Sequence, residues 1–172
     1  MERSPSRLQL VLVAASYAVV VAFSALLVFW RYLQYVRNPQ DAASAGGMWA
    51  GGDLILEVFI GFLFLLPTVA LAFVIRKSES AYTTYAKGLL GLSVTAPLSL
   101  VLMAIPILNQ WYWGDAIIFR LFAIPMIVAL LLFSRWLTRF AGARRLISYA
   151  LIIEAGTLLV AFGALFLFAR RH

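Results

Sequence analysis

The sequence predicts an all-α membrane protein: a bundle of five transmembrane helices with no soluble domain. Three observations predict it. The 172 residues are 64% hydrophobic and only 12% charged, with a mean hydropathy of +0.96, whereas soluble domains are about 45–50% apolar and about 25% charged. Uncharged runs approach or exceed the roughly 20 residues that a helix needs to cross the hydrocarbon core. The Lys and Arg residues flank those runs instead of lining one face. A soluble fold of this composition would expose apolar patches far larger than monomers tolerate. One transmembrane domain over residues 1–172 is expected.

The first span is residues 8–30, uncharged between Arg7 and Arg31. It is too long for the apolar core of a signal peptide and reads as a retained helix. Ala14, Ala18, Ala22 and Ala25 form a small-residue stripe suited to close helix approach. "RNPQDAASAGGMWAGGD", residues 37–53, is rich in Gly and turn formers and is expected as the longest loop. The second span is 54–75, stopped by Arg76 and Lys77. "RKSESAYTTYAKG" is expected as a short polar connection. The third span is 89–108. Trp111, Tyr112 and Trp113 then form an aromatic cluster of the kind that sits at headgroup level.

The last two spans, 116–134 and 147–168, are interrupted by Arg120 and Glu154. Uncharged length alone would demote both to interfacial segments. A surface helix needs a polar face, however, and neither stretch has one. Both are therefore expected to span.

The positive-inside rule sets orientation. With the N-terminus cytoplasmic, Arg3, Arg7, Arg76, Lys77, Lys87, Arg135, Arg139, Arg144 and Arg145 lie inside, nine of the 14 basic residues. The C-terminus then lies outside. The expected location is the plasma membrane, the inner membrane of a bacterium.

Several chemistries are excluded on composition. There is no cysteine, and the single histidine is His172. That removes disulfide scaffolds, Cys-based metal sites and dithiol redox. It also removes the His ligands that haem, zinc or di-iron centres in a helix bundle use. No metal, no cofactor and no catalytic residue is expected, since no nucleophile–base pair is visible. The net charge of +7 would suggest nucleic acid in a soluble protein, but here the charge anchors helix ends.

Three ionisable residues fall within spans: Glu57, Arg120 and Glu154. Each costs about 2.5–3.5 kcal/mol at a helix centre, so such residues are functional-site candidates by default. Counted at 1.5 Å per residue, Arg120 lies about 7 Å in from the outer side and Glu154 about 12 Å in from the inner side. Glu57 enters one turn from the outer side. Equal depth and opposite charge make Glu57 and Arg120 the expected pair. Glu154 is left without a cation, either as a protonated, hydrogen-bonded carboxyl or as a proton relay. Thr157 shares its helical face, and Thr68 shares that of Glu57. Pro67, Pro97, Pro106 and Pro125 are expected to kink or break spans two to four. Arg135, Arg139, Arg144 and Arg145, interleaved with Trp136 and Phe140, are expected to bind anionic lipid headgroups.

The function these features point to is a channel or transporter for an ion or small solute, acting as a homo-oligomer because one small bundle leaves little room for a pathway. The alternative is a non-catalytic accessory or assembly subunit of a larger membrane complex. Membrane lipids are the expected partners in either case.

Overall fold

A computed structural model describes residues 6–105 and 113–170, and every described element is a helix. In chain order these are α1 (Arg7–Arg37), α2 (Pro39–Ser44), α3 (Gly46–Ile75), α4 (Glu79–Met103), α5 (Trp113–Phe122), α6 (Ile124–Leu137) and α7 (Ala141–Ala169). Four of them, α1, α3, α4 and α7, are long and apolar enough to cross a bilayer, consistent with an integral membrane protein. The aromatic pair Trp111–Tyr112, Pro106 and the end of the third expected span lie outside the described residues.

Three expected boundaries are corrected. The Gly-rich stretch 37–53 is not a loop: α2 and the first turns of α3 occupy it. The polar connection after Arg76 shrinks to three residues, because α4 already starts at Glu79. Ser78 caps it by accepting from the Ala81 amide at 3.4 Å, and Glu79 in the first turn complements the helix dipole. Hydropathy marks where a helix leaves lipid, whereas capping marks where it ends, and the two differ by about three turns here. The fourth expected span, 116–134, is not one helix but two, α5 and α6, which meet at Ala123. Pro125 has no amide to bond the Leu121 carbonyl, and its ring crowds that carbonyl. Pro67 and Pro97, by contrast, sit inside the uninterrupted helices α3 and α4.

Contacts group residues 6–71 into one compact unit and the chain from Ala72 onward into a second. In the first, α1 opens with a capping box in which Ser6 and Gln9 exchange hydrogen bonds, both 3.3 Å. Its Tyr17 hydroxyl meets Thr68 Oγ1 of α3 at 2.7 Å, and its Arg31 meets Asp53 of α3 at 2.6 Å. Those two contacts make α1 and α3 an antiparallel pair. Ala14, Ala18, Ala22 and Ala25 are all exposed, so the expected small-residue stripe is not the face α1 buries; Val13 and Ser24 are.

In the second unit, α4 buries Tyr82, Ala86, Leu89, Ser93, Ala96 and Ser99, and α7 buries Ala143, Ile147, Ala150, Glu154 and Thr157. The alternating steps of three and four residues draw one seam along each helix. Small residues on both seams let the two backbones approach closely, and α4 packs more extensively on α7 than on any other helix. Tyr82 touches Phe140 just before α7, with ring centroids 6.5 Å apart, and farther along Arg120 bridges Thr95 of α4 and Glu154 of α7. The two helices therefore run parallel.

The segment α5–α6 runs antiparallel to both. Arg120 reaches Leu92 and Thr95, while Ser134 sits beside the start of α4. There the Tyr82 hydroxyl donates to the Ser134 carbonyl at 2.7 Å, and the Tyr85 hydroxyl bonds Ser134 Oγ at 3.0 Å. Phe73 packs edge-on against Phe133 at 5.6 Å, fixing the last turn of α3 to α6.

Candidate functional site: a buried arginine–glutamate pair

Glu154 is fully buried in the middle of α7. Its partner is Arg120: Nη2 donates to Oε1 at 2.5 Å and Nη1 to Oε2 at 3.5 Å, a two-pronged contact. The Arg120 side chain is itself only 13% exposed. Its remaining contacts are to α4. Nε donates to Thr95 Oγ1 at 2.7 Å, and Nη2 to the Leu92 carbonyl at 3.1 Å. Thr95 Oγ1 in turn donates to the Leu92 carbonyl at 2.6 Å, so the hydroxyl that accepts from the guanidinium is held in place. One planar side chain thus ties three helices together, using the fork geometry that a lysine lacks.

Local structure puts Arg120 there. It lies in the last turn of α5, where the helix dipole favours a cation. The break at Ala123 follows three residues later, so the arginine sits at the open end of a half-helix.

The expected ion pair is corrected accordingly. The carboxylate that holds Arg120 is Glu154, where Glu57 was expected, and Glu154 is not without a cation. Counting depth from the charged ends of the spans takes helices to meet at equal depth. α4 and α7 set the register instead: Thr95 of α4 and Glu154 of α7 both meet the Arg120 guanidinium.

The remaining candidates fall in two places. Thr157, one turn beyond Glu154, is buried and donates to the Ile153 carbonyl at 2.7 Å. Glu57 and Thr68 lie on α3 in the first unit; Glu57 is partly buried, and Thr68 Oγ1 bonds Tyr17 and donates to the Phe64 carbonyl at 2.7 Å. The Ser93 hydroxyl, on the α4 seam, is fully buried and makes no hydrogen bond among the described residues. Such a group costs about 1–3 kcal/mol unless something pairs with it.

A second charged cluster joins α1 to α3, outside the candidates drawn from the sequence. Arg31 Nε donates to Asp53 Oδ1 at 2.6 Å, Nη2 donates to the Trp49 carbonyl at 2.8 Å, and the Tyr35 hydroxyl donates to Asp53 Oδ2. The guanidinium lies 4.4 Å from the Trp49 ring centre and 5.0 Å from that of Tyr35, a cation–π arrangement. The signal was present: Arg31 and Asp53 flank consecutive spans at the end where the chain turns, which brings them together.

The basic residues of the α6–α7 connection line adjoining clefts, among them a larger and a smaller one. The larger, about 780 Å³, is bounded by Arg76, Lys77, Trp136, Leu137, Thr138, Arg139, Phe140 and Arg144. The smaller, about 440 Å³, adds Arg135 and Arg145. Among the described residues no group of three His, Cys, Asp or Glu side chains could hold a metal ion.

No protein-family model, curated protein or solved structure matches the chain.

Proposed function

We propose that the chain is a five-span protein of the plasma membrane that moves an ion or small solute, with Arg120–Glu154 as the exchangeable pair on its path. The fifth crossing is supported by direction. If parallel helices α4 and α7 both span, the chain between them has to return across the bilayer. The 25 residues from Trp113 to Leu137 cover about 37 Å at 1.5 Å each, against a hydrocarbon core of about 30 Å. The N-terminus is cytoplasmic and the C-terminus outside on the positive-inside rule.

The observation that carries the functional reading is the buried pair at a helix break. Replacing a buried ion pair with apolar residues of similar volume is often neutral or stabilising by about 1–4 kcal/mol. Stability is therefore a weak reason for a membrane bundle to keep one. Broken helices and intramembrane charges line the sites of many transporters. An anionic solute can compete with Glu154 for the guanidinium, or a proton can release Glu154 from it. The Ser93 hydroxyl, in the same α4–α7 seam and without a hydrogen bond among the described residues, would suit a polar visitor.

The test is a flux assay on purified protein in liposomes, with an imposed pH gradient and a panel of ions and small anions. Wild-type protein is expected to move one member of the panel, and the double variant Arg120→Gln/Glu154→Gln to lose that flux. A folded wild-type protein that moves none overturns the proposal.

The second reading is an accessory subunit of a larger membrane complex. It is favoured by α1, which buries only Val13 and Ser24 and leaves its alanine stripe open to other helices. Co-purification with unrelated membrane subunits at fixed stoichiometry, in place of a homo-oligomer, would favour it.

A further inference from the structure

We propose that the cleft at the α6–α7 connection is a stoichiometric binding site for a lipid headgroup carrying two phosphates. The inference rests on the membrane-spanning reading for the source of the ligand, but not for its chemistry.

Charge is the first argument. Arg76, Lys77, Arg139 and Arg144 line one cleft, no Asp or Glu lines it, and Arg135 and Arg145 line the adjoining one, again with no acid. Crowding cations without a counter-charge is unfavourable at the short separations within a cleft. A ligand of several negative charges relieves it. Such basic pockets at the cytoplasmic ends of helices suit lipids with more than one phosphate.

Positioning is the second. Thr138, buried, is extended at the end of α6 and turns the chain toward α7. Arg144 Nη2 donates to the Thr138 carbonyl at 3.0 Å, which holds that guanidinium across the turn. Arg76 lies 5.5 Å from the centre of the Phe73 ring. These contacts organise two of the four cations before any ligand arrives, which lowers the entropy lost on binding. The N-terminus of α7 opens beside the cleft and adds its positive dipole end.

The walls give the third. Trp136, Leu137 and Phe140 supply apolar surface next to the cations. Trp136 is 77% exposed, the posture of an interfacial anchor. A free phosphate would use only the cations. A lipid uses both, with its phosphates among the arginines and its glycerol and upper acyl carbons against the aromatic wall. The cleft volume of about 780 Å³ is ample for two phosphates and their linker.

The experiment titrates purified full-length protein in phosphatidylcholine nanodiscs with cardiolipin, with phosphatidylglycerol at equal total charge, and with inorganic pyrophosphate. Bound lipid is counted by native mass spectrometry, and stabilisation is read as a shift in Tm. One cardiolipin per chain, bound saturably and more tightly than phosphatidylglycerol, is the expected result. Lys77→Gln and Arg139→Gln, both exposed, should each weaken it about fivefold, the worth of one surface cation. Arg170→Gln, away from the cleft, should leave it unchanged. Equal affinity for the two lipids, or equal weakening by Arg170→Gln, would show diffuse surface attraction and overturn the site. Pyrophosphate that displaces cardiolipin supports the shared diphosphate chemistry. Pyrophosphate binding with no saturable cardiolipin binding assigns the site to a soluble anion and overturns the lipid proposal. The pyrophosphate arm does not depend on membrane insertion, whereas release of the protein from membranes by alkaline carbonate would reject the spanning reading by itself.

Discussion

At Arg120 and Glu154 two charges that each cost several kcal/mol in isolation become tolerable together. Removing one partner leaves the other buried and unpaired, a loss of about 3–5 kcal/mol. Glu154→Gln and Arg120→Gln are therefore each expected to lower thermal stability strongly, and the double change to be milder than the sum. A double-mutant cycle in thermal unfolding that shows no coupling would refute the pair. The candidate residues were legible in the sequence because an ionisable side chain in an apolar run is conspicuous. The pairing was not. Depth along a span can be counted from its charged ends, but hydropathy says nothing about which helices are lateral neighbours. Glu57 had the right charge and the right level for Arg120, and Glu154 had the right neighbour.

The same division holds at the scale of the element. Spans α1, α3 and α4 were legible as long apolar runs, α7 by its lack of a polar face, and Pro125 marked the break between α5 and α6. The helical start of α3 was not legible, because Gly46, Gly47, Gly51 and Gly52 each disfavour helix by about 1 kcal/mol against alanine. Tertiary contacts override that propensity: Arg31 reaches the Trp49 carbonyl and Asp53, and the Tyr35 and Trp49 rings pack at 4.7 Å. The glycines are not equivalent. A methyl group at Gly47 would meet nothing within 4 Å, whereas one at Gly52 would lie 3.1 Å from Arg31 Nη2. Gly47→Ala should raise stability by about 0.5–1 kcal/mol. Gly52→Ala should gain less or lose, since the tethered guanidinium has to shift. Equal gains in Tm from the two substitutions would show that Arg31 is not held as described.

At the scale of the whole chain, the direction of the helices and the distribution of charge make separate claims about topology. The parallel course of α4 and α7 requires an odd crossing between them if both span. In the orientation proposed above, the basic bias would put the α3–α4 and α6–α7 connections together on the cytoplasmic side. The chain has no cysteine, so single cysteines can report each position without background. Ser44, Ser80 and Ala141 are exposed and lie in or beside three different connections. Membrane-impermeant thiol reagents applied to intact cells should label a cysteine at Ser44. Those at Ser80 and Ala141 should label only after the membrane is opened. The two inner positions test different things. Ser80 reports whether α3 crosses, and Ala141 reports whether α5–α6 brings the chain back. If Ala141 labels from outside together with Ser44 while Ser80 stays protected, α5–α6 dips into the bilayer without crossing it. That outcome would also reverse α7 in the membrane, which its parallel packing on α4 forbids if both helices span. It would therefore reject the five-span topology and the packing of the second unit at once, while leaving the antiparallel α1–α3 pair untouched.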